Sequence, residues 1–216
     1  MAPRLQLAVD SPDLVTAFGP LNQVADAVDV VEAGTILIIG EGLRAVREIR
    51  ALYPAQTVLA DVRIAEAGSL IARHCFEAGA TWVSCVAGAS LTTIGQVVAV
   101  AGEFGGEVQV ELGETYSLDR ARAWRELGAE HVIVKRSRDQ EAAGNLSWGP
   151  ADVERIHELA GLGFTVTVTG GITAGDLDVF AGAPVGVVIA GRSIMGAADP
   201  TAAVAELRAA MERVWP

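Results

Sequence analysis

With 216 residues, 51% hydrophobic and 20% charged, the chain is long enough for one domain, 1–216, with a sizeable core, and too apolar to be disordered. Its formal charge of −11 argues against nucleic acid as a partner, because phosphate backbones need a basic face; a small anion needs only a local cationic pocket. No apolar run approaches the roughly 18 residues of a membrane span and the start lacks a signal-peptide core, so a cytoplasmic protein is expected.

Short β-branched runs alternate with longer helical patterns. Leu5–Val9 runs into Asp10, and Val28–Val31 runs into Glu32. A helical stretch over Gly42–Leu52 leads to Thr57–Ala60, which closes on Asp61-Val-Arg63-Ile-Ala-Glu66. Three ionisable side chains where a buried strand becomes a loop read as a site, and on extended backbone Asp61 and Arg63 share one side. A helix over Ser69–Ala78, a strand at Trp82–Val86, a helix over Leu91–Gly102 and a strand at Val108–Glu111 follow, then a helix from Ser117 to Leu127.

The strand His131–Val134 ends at Lys135, which opens a connection running to Gly149. That length exceeds the usual few residues between strand and helix and predicts a lid, with Lys135 and Arg138 toward substrate and Arg136 outward. Phe164–Val168 ends in Thr169-Gly170-Gly171, and Val185–Ala190 ends in Gly191-Arg192. The last helix, Thr201–Val214, starts after Asp199-Pro200. Loops at the other strand ends, such as Glu103–Glu107, carry only turn chemistry. Cys75 and Cys85 read as core thiols, and His74, His131 and His157 as residues without a ligand role.

Eight such repeats predict a single (β/α)8 TIM barrel; a doubly wound open sheet would satisfy the same alternation. In the barrel, functional groups gather at the C-terminal strand ends, and these carry charge, hydroxyl or glycine pairs in nearly every repeat. Glu32 and Asp61, on strands about 4.8 Å apart, suit octahedral Mg²⁺; each could instead pair with Arg63 or cap a helix. Thr169-Gly170-Gly171 and Gly191-Arg192 lie where barrels bind phosphate; the glycines could instead serve only tight turns.

At these residues the chain resembles the 3-keto-L-gulonate 6-phosphate decarboxylase and 3-hexulose-6-phosphate synthase group of the orotidine monophosphate decarboxylase suprafamily. The resemblance runs nearly end to end, through Leu5–Asp10, Val31–Thr35, Ala60–Gly68, Val108–Leu112, Arg136–Asp139, Val166–Gly171 and Ile189–Ile194. It implies Mg²⁺-dependent decarboxylation of a β-keto sugar-acid phosphate through a cis-enediolate, as in L-ascorbate catabolism. Aldol chemistry on a pentulose phosphate, or a sugar-phosphate-binding barrel with lost or altered catalysis, are the alternatives. By the same resemblance Glu32 and Asp61 hold the metal, Asp10 and Glu111 contact substrate, and Thr169, Gly171, Gly191 and Arg192 lie at the phosphate. Arg63 stabilises the enediolate, Glu66 reaches it across a homodimer interface, and Lys135 and Arg138 assist protonation. Three positions depart from the family pattern: Arg63 stands for lysine, Glu66 for aspartate and Lys135 for histidine.

Overall fold

The β-branched runs are short and apolar because the strands they form are covered on both faces. The computed structural model of the chain describes residues 2–113, 115–137, 139, 142, 144 and 148–216. Its strands are β1 (Arg4–Val9), β2 (Val30–Ala33), β3 (Thr57–Ile64), β4 (Trp82–Val86), β5 (Glu107–Glu111), β6 (His131–Lys135), β7 (Thr165–Thr169) and β8 (Val185–Ala190). They close in sequence order into one parallel barrel, with β1 paired to both β2 and β8, so the open-sheet alternative is ruled out. Among the described residues the helices are α1 (Leu14–Val24), α2 (Thr35–Glu41), α3 (Arg44–Leu52), α4 (Gly68–Glu77), α5 (Leu91–Phe104), α6 (Leu118–Glu126), α7 (Pro150–Gly161), α8 (Arg192–Met195) and α9 (Pro200–Val214). A 3₁₀ segment, Ala174–Phe180, stands between β7 and β8.

Two helices depart from the sequence reading. The stretch before Leu52 is split, because Gly42 at φ +61° ends α2 and α3 begins only at Arg44. α1 carries Gly19 and Pro20, poor helix formers that mask it in the sequence, yet Asp13 caps it by accepting from the Thr16 N–H at 2.7 Å. β2 is shifted toward Ala33, which sets Glu32 inside the strand rather than after it.

Alternate residues of each strand face inward and build layers. Val31, Val58, Val83, Val110, Val132, Val166 and Val188 belong to the main core that the helices cover. A separate cluster of Ala8, Val30, Leu59, Trp82, Ile133, Val187 and Ile189 fills the barrel itself. Gln6, Ser84, Gln109 and Thr167 are fully buried beside it.

The N-terminal end is closed by chemistry the loop reading missed. The Arg4 guanidinium lies 4.4 Å from the Trp82 ring centroid, Trp82 sits 4.6 Å from the His131 ring, and His131 Nε2 is 2.5 Å from a Glu107 carboxylate oxygen. His131 is therefore a plug residue, as its place at the start of β6 implied, but Glu107 is part of a charge-paired layer rather than of a plain turn. Cys75 and Cys85 are buried and free, as expected.

Candidate active site

At the other end the inward layer turns polar. Asp10, Glu32, Asp61, Arg63, Glu111, Lys135, Thr169, Gly171, Gly191 and Arg192 line one pocket of about 320 Å³ at the C-terminal mouth. Ten of the twelve predicted site residues are thus brought together, by every strand except β4 or by the turns beyond them. Glu66 is exposed and outside this pocket, and Arg138 lies outside the described residues.

Glu32 is buried, with Gln6 Nε2 donating to its Oε2 at 2.6 Å, and Gln109 Nε2 continues the chain to Gln6 Oε1 at 3.4 Å. Burial, then the neighbouring Asp61 charge, pushes the Glu32 carboxyl well above the usual carboxylate range, against the Gln6 hydrogen bond that favours ionisation. Asp61 is held by two hydroxyls: Ser84 donates to Oδ1 at 2.7 Å and Thr35 to Oδ2 at 2.5 Å. Asp10 accepts from the Ile36 N–H at 3.2 Å at the start of α2. A Cβ at Gly34 would collide with the Asp10 carboxylate and come within 2.8 Å of the Val9 carbonyl, so only glycine admits this packing.

β3 reaches the pocket by distortion rather than by regular alternation. Its register against β4 passes from Ala60 opposite Val83 to Ile64 opposite Cys85, so a step of two residues along β4 matches a step of four along β3. Arg63 sits at φ +48° and Ala67 at φ +54°, both left-handed and neither glycine. The Arg63 N–H, freed from the ladder, donates to Ser84 Oγ at 2.8 Å. Arg63 Nε then stands 3.4 Å from both Asp61 Oδ2 and Glu111 Oε2. Burial opposes the Arg63 charge, but Glu111 and Asp61 together outweigh it and hold the guanidinium above its ordinary range. Glu111 also accepts from Lys135 Nζ, so one carboxylate bridges two cations.

Arg136 turns inward, contrary to the outward expectation. Strand alternation ends at Lys135, and beyond it the Arg136 side chain folds onto the turn after β7 to donate to the Gly170 carbonyl. Sequence reasoning also passed over Gln6, Thr35, Ser84 and Gln109. The two glutamines had a signal, since polar residues occupy inward positions two before Ala8 and Glu111. The hydroxyls had none, being common residues whose partners lie on other elements.

The donor set at Glu32 and Asp61 consists of hard carboxylate oxygens facing the pocket, which suits a divalent cation such as Mg²⁺. A second group of ligand-type side chains, Glu107, Glu130 and His131, lies at the opposite end of the barrel with donor atoms within 4.8 Å. There His131 and Arg4 already supply positive charge, which lowers the Glu107 carboxyl through its hydrogen bond to His131 despite burial. The mouth, not the plug, has the unbalanced acid.

Fold and site together define a (β/α)8 barrel with an acid-and-cation mouth shaped for one small polar ligand. The chain belongs to the orotidine 5'-phosphate decarboxylase / HUMPS family, whose model matches residues 3–207. It is 45% identical over 213 residues, 99% of this chain and 98% of the relative, to the 3-keto-L-gulonate-6-phosphate decarboxylase UlaD of Escherichia coli O17:K52:H18. The crystal structure of KGPDC from Streptococcus mutans, in complex with ribose 5-phosphate, superposes with a TM-score of 0.96 at 34% identity, covering 99% of both chains. The 3-hexulose-6-phosphate synthase of Salmonella typhimurium superposes at 0.88 with 31% identity, covering 97% of this chain and 99% of that one. The family resemblance read from the sequence is borne out.

Proposed function

We propose that the protein is a Mg²⁺-dependent carboxy-lyase acting on a β-keto sugar-acid phosphate of the 3-keto-L-gulonate 6-phosphate type, as in L-ascorbate catabolism. The observation that carries this reading is the meeting of two buried carboxylates, a guanidinium and a lysine with the glycine turns of β7 and β8 in one pocket. The near full-length 45% identity to a decarboxylase of that name supports it.

Glu32 and Asp61 would hold the cation, which when bound supplies Lewis-acid polarisation of the substrate oxygens. Asp10 and Glu111 would orient the sugar hydroxyls. Thr169, Gly171, Gly191 and Arg192 would bind the phosphate through backbone N–H groups, a hydroxyl and a guanidinium. As the carbon–carbon bond breaks, carbon dioxide leaves and the electron pair stays on the sugar as an enediolate. Arg63, kept charged by Glu111 and Asp61, stabilises that oxyanion but cannot give up a proton, since guanidinium remains protonated. Lys135 would deliver the proton to carbon, with Arg138 assisting and Glu111 holding the ammonium in place.

A homodimer would complete the site. Glu66 is exposed and lies outside its own pocket, and Ile36, Ile39 and Leu70 leave apolar surface on the helices after β2 and β3. In the assembly Glu66 would approach Arg63 of the other copy, in a cytoplasmic enzyme. Sedimentation equilibrium returning only monomer would reject this part.

The deciding assay follows carbon dioxide release from 3-keto-L-gulonate 6-phosphate with Mg²⁺ and with a chelator. Turnover that the chelator abolishes supports the reading. Loss of ribulose 5-phosphate only when formaldehyde is present would replace it by the aldol reading, which the synthase-like structure favours. Sugar-phosphate binding without either reaction would replace it by altered catalysis, for which Arg63, Glu66 and Lys135 are the sequence support.

A further inference from the structure

We infer that Arg136 is a positioning residue that aims the Gly171 N–H into the pocket, so that it governs phosphate affinity without touching the phosphate. The inference rests on the phosphate-site reading given above.

The contacts form a clamp between the base of the β6–α7 connection and the turn after β7. The Arg136 N–H donates to the Thr169 carbonyl at 3.1 Å, and its Nε and Nη2 both donate to the Gly170 carbonyl, at 2.9 and 2.7 Å. One planar guanidinium thus takes one carbonyl with two donors, a geometry that lysine's single ammonium cannot copy. Gly170 lies at φ +112°, and a Cβ there would come within 2.8 Å of Arg136 backbone atoms, so the turn and the clamp require each other.

Peptide planarity supplies the link to binding. In a trans peptide the C=O and the following N–H point in opposite directions. Fixing the Gly170 oxygen on Arg136 therefore turns the Gly171 N–H away from Arg136, and Gly171 lines the pocket. The guanidinium is itself supported: it lies 5.2 Å from the Trp148 ring centroid, and Trp148 packs edge-on against the buried Phe180 at 4.9 Å. Arg136 and Trp148 stand at the two ends of the long β6–α7 connection, so the same contact ties its ends to the phosphate turn.

The test compares Arg136→Met, Arg136→Lys and Arg192→Met by calorimetric titration with inorganic phosphate and by steady-state kinetics. Arg136→Met should weaken phosphate binding and raise KM by about tenfold or more, with kcat within about threefold, since an orienting donor rather than a reacting group is lost. In ¹⁵N-glycine-labelled protein, phosphate should shift the Gly171 amide signal in the parent and not in the variant. Arg136→Lys should behave like Arg136→Met, and it decides the matter if the Met variant does not fold. Should Arg192→Met also leave phosphate affinity unchanged, the phosphate reading itself fails. Should Arg192→Met lose affinity while the Arg136 variants keep it within about twofold and retain the amide shift, the positioning role is refuted.

Discussion

Replacing Ser84 by alanine removes one oxygen that serves two partners. Ser84 is fully buried; its hydroxyl donates to Asp61 Oδ1 at 2.7 Å and accepts from the Arg63 N–H at 2.8 Å. A hydrogen bond to a charged carboxylate contributes about 1.5–3 kcal/mol, and an orphaned buried amide costs a further ~1–3 kcal/mol. Water entering from the open mouth offsets part of this, leaving a loss of about 2–4 kcal/mol. For a chain of this size each kcal/mol moves the melting point by about 2–4 °C, so Ser84→Ala should melt roughly 5–12 °C lower by calorimetry. Because the hydroxyl acts through Asp61, the loss should be non-additive with Asp61→Asn in a double-mutant cycle, by at least about 0.5 kcal/mol. A melting point within about 1 °C of the parent, or strict additivity, would refute the reasoning.

Two further outcomes follow from buried groups away from the mouth. Burial pushes the Cys75 and Cys85 thiols up to about 12, so neither should react with a disulfide reagent at about pH 8 until the chain unfolds. The unfolded thiols ionise first, so their contribution is intact below about pH 9 and falls by up to ~1.4 kcal/mol per thiol per pH unit as pH approaches the folded value. Urea unfolding between about pH 8 and 10.5 measures this, and a rising stability over that window contradicts it. Arg50 donates to the carbonyls of Gly79, Pro54 and Gln56 at 2.8, 3.0 and 2.8 Å, tying together the loops below β3 and β4. Arg50→Ala should cost about 2–3 kcal/mol in urea unfolding, and a change under about 0.5 kcal/mol would show that solvent replaces those bonds.

The barrel was legible because a strand covered on both faces must be apolar throughout, and Val58-Leu59-Ala60 or Val132-Ile133-Val134 has few other ways to be stable. Charges appended to such runs were legible as a site for the same reason: Glu32 and Asp61 lie at the one end where burial gives way to a pocket. What stayed hidden depended on contacts between elements. Nothing in Ser84 or Thr35 announces a shared carboxylate on a neighbouring strand, and the left-handed Arg63 follows from a bulge that no local composition marks. Arg136 was misdirected because strand alternation was carried one residue past the end of β6. Glu66 lies outside its own pocket, so a single chain leaves its role to the proposed dimer.

The seam between β1 and β8 gives this site an all-or-none character during synthesis. Arg4 pairs opposite Val187 and Leu7 opposite Ala190, while Arg208 of α9 donates to the Ala27 carbonyl and pairs with Asp29 near the other end of the chain. Asp10 and Arg192 face one pocket across nearly the whole sequence, so no half of the chain holds a half-site. A nascent or truncated product lacking β8 would present two open edges of a parallel sheet, β1 and β7, each a template for pairing with another chain. Release from the ribosome, quality control by proteases and the first chance to bind substrate should therefore converge on one late event, the docking of the final strand and helix.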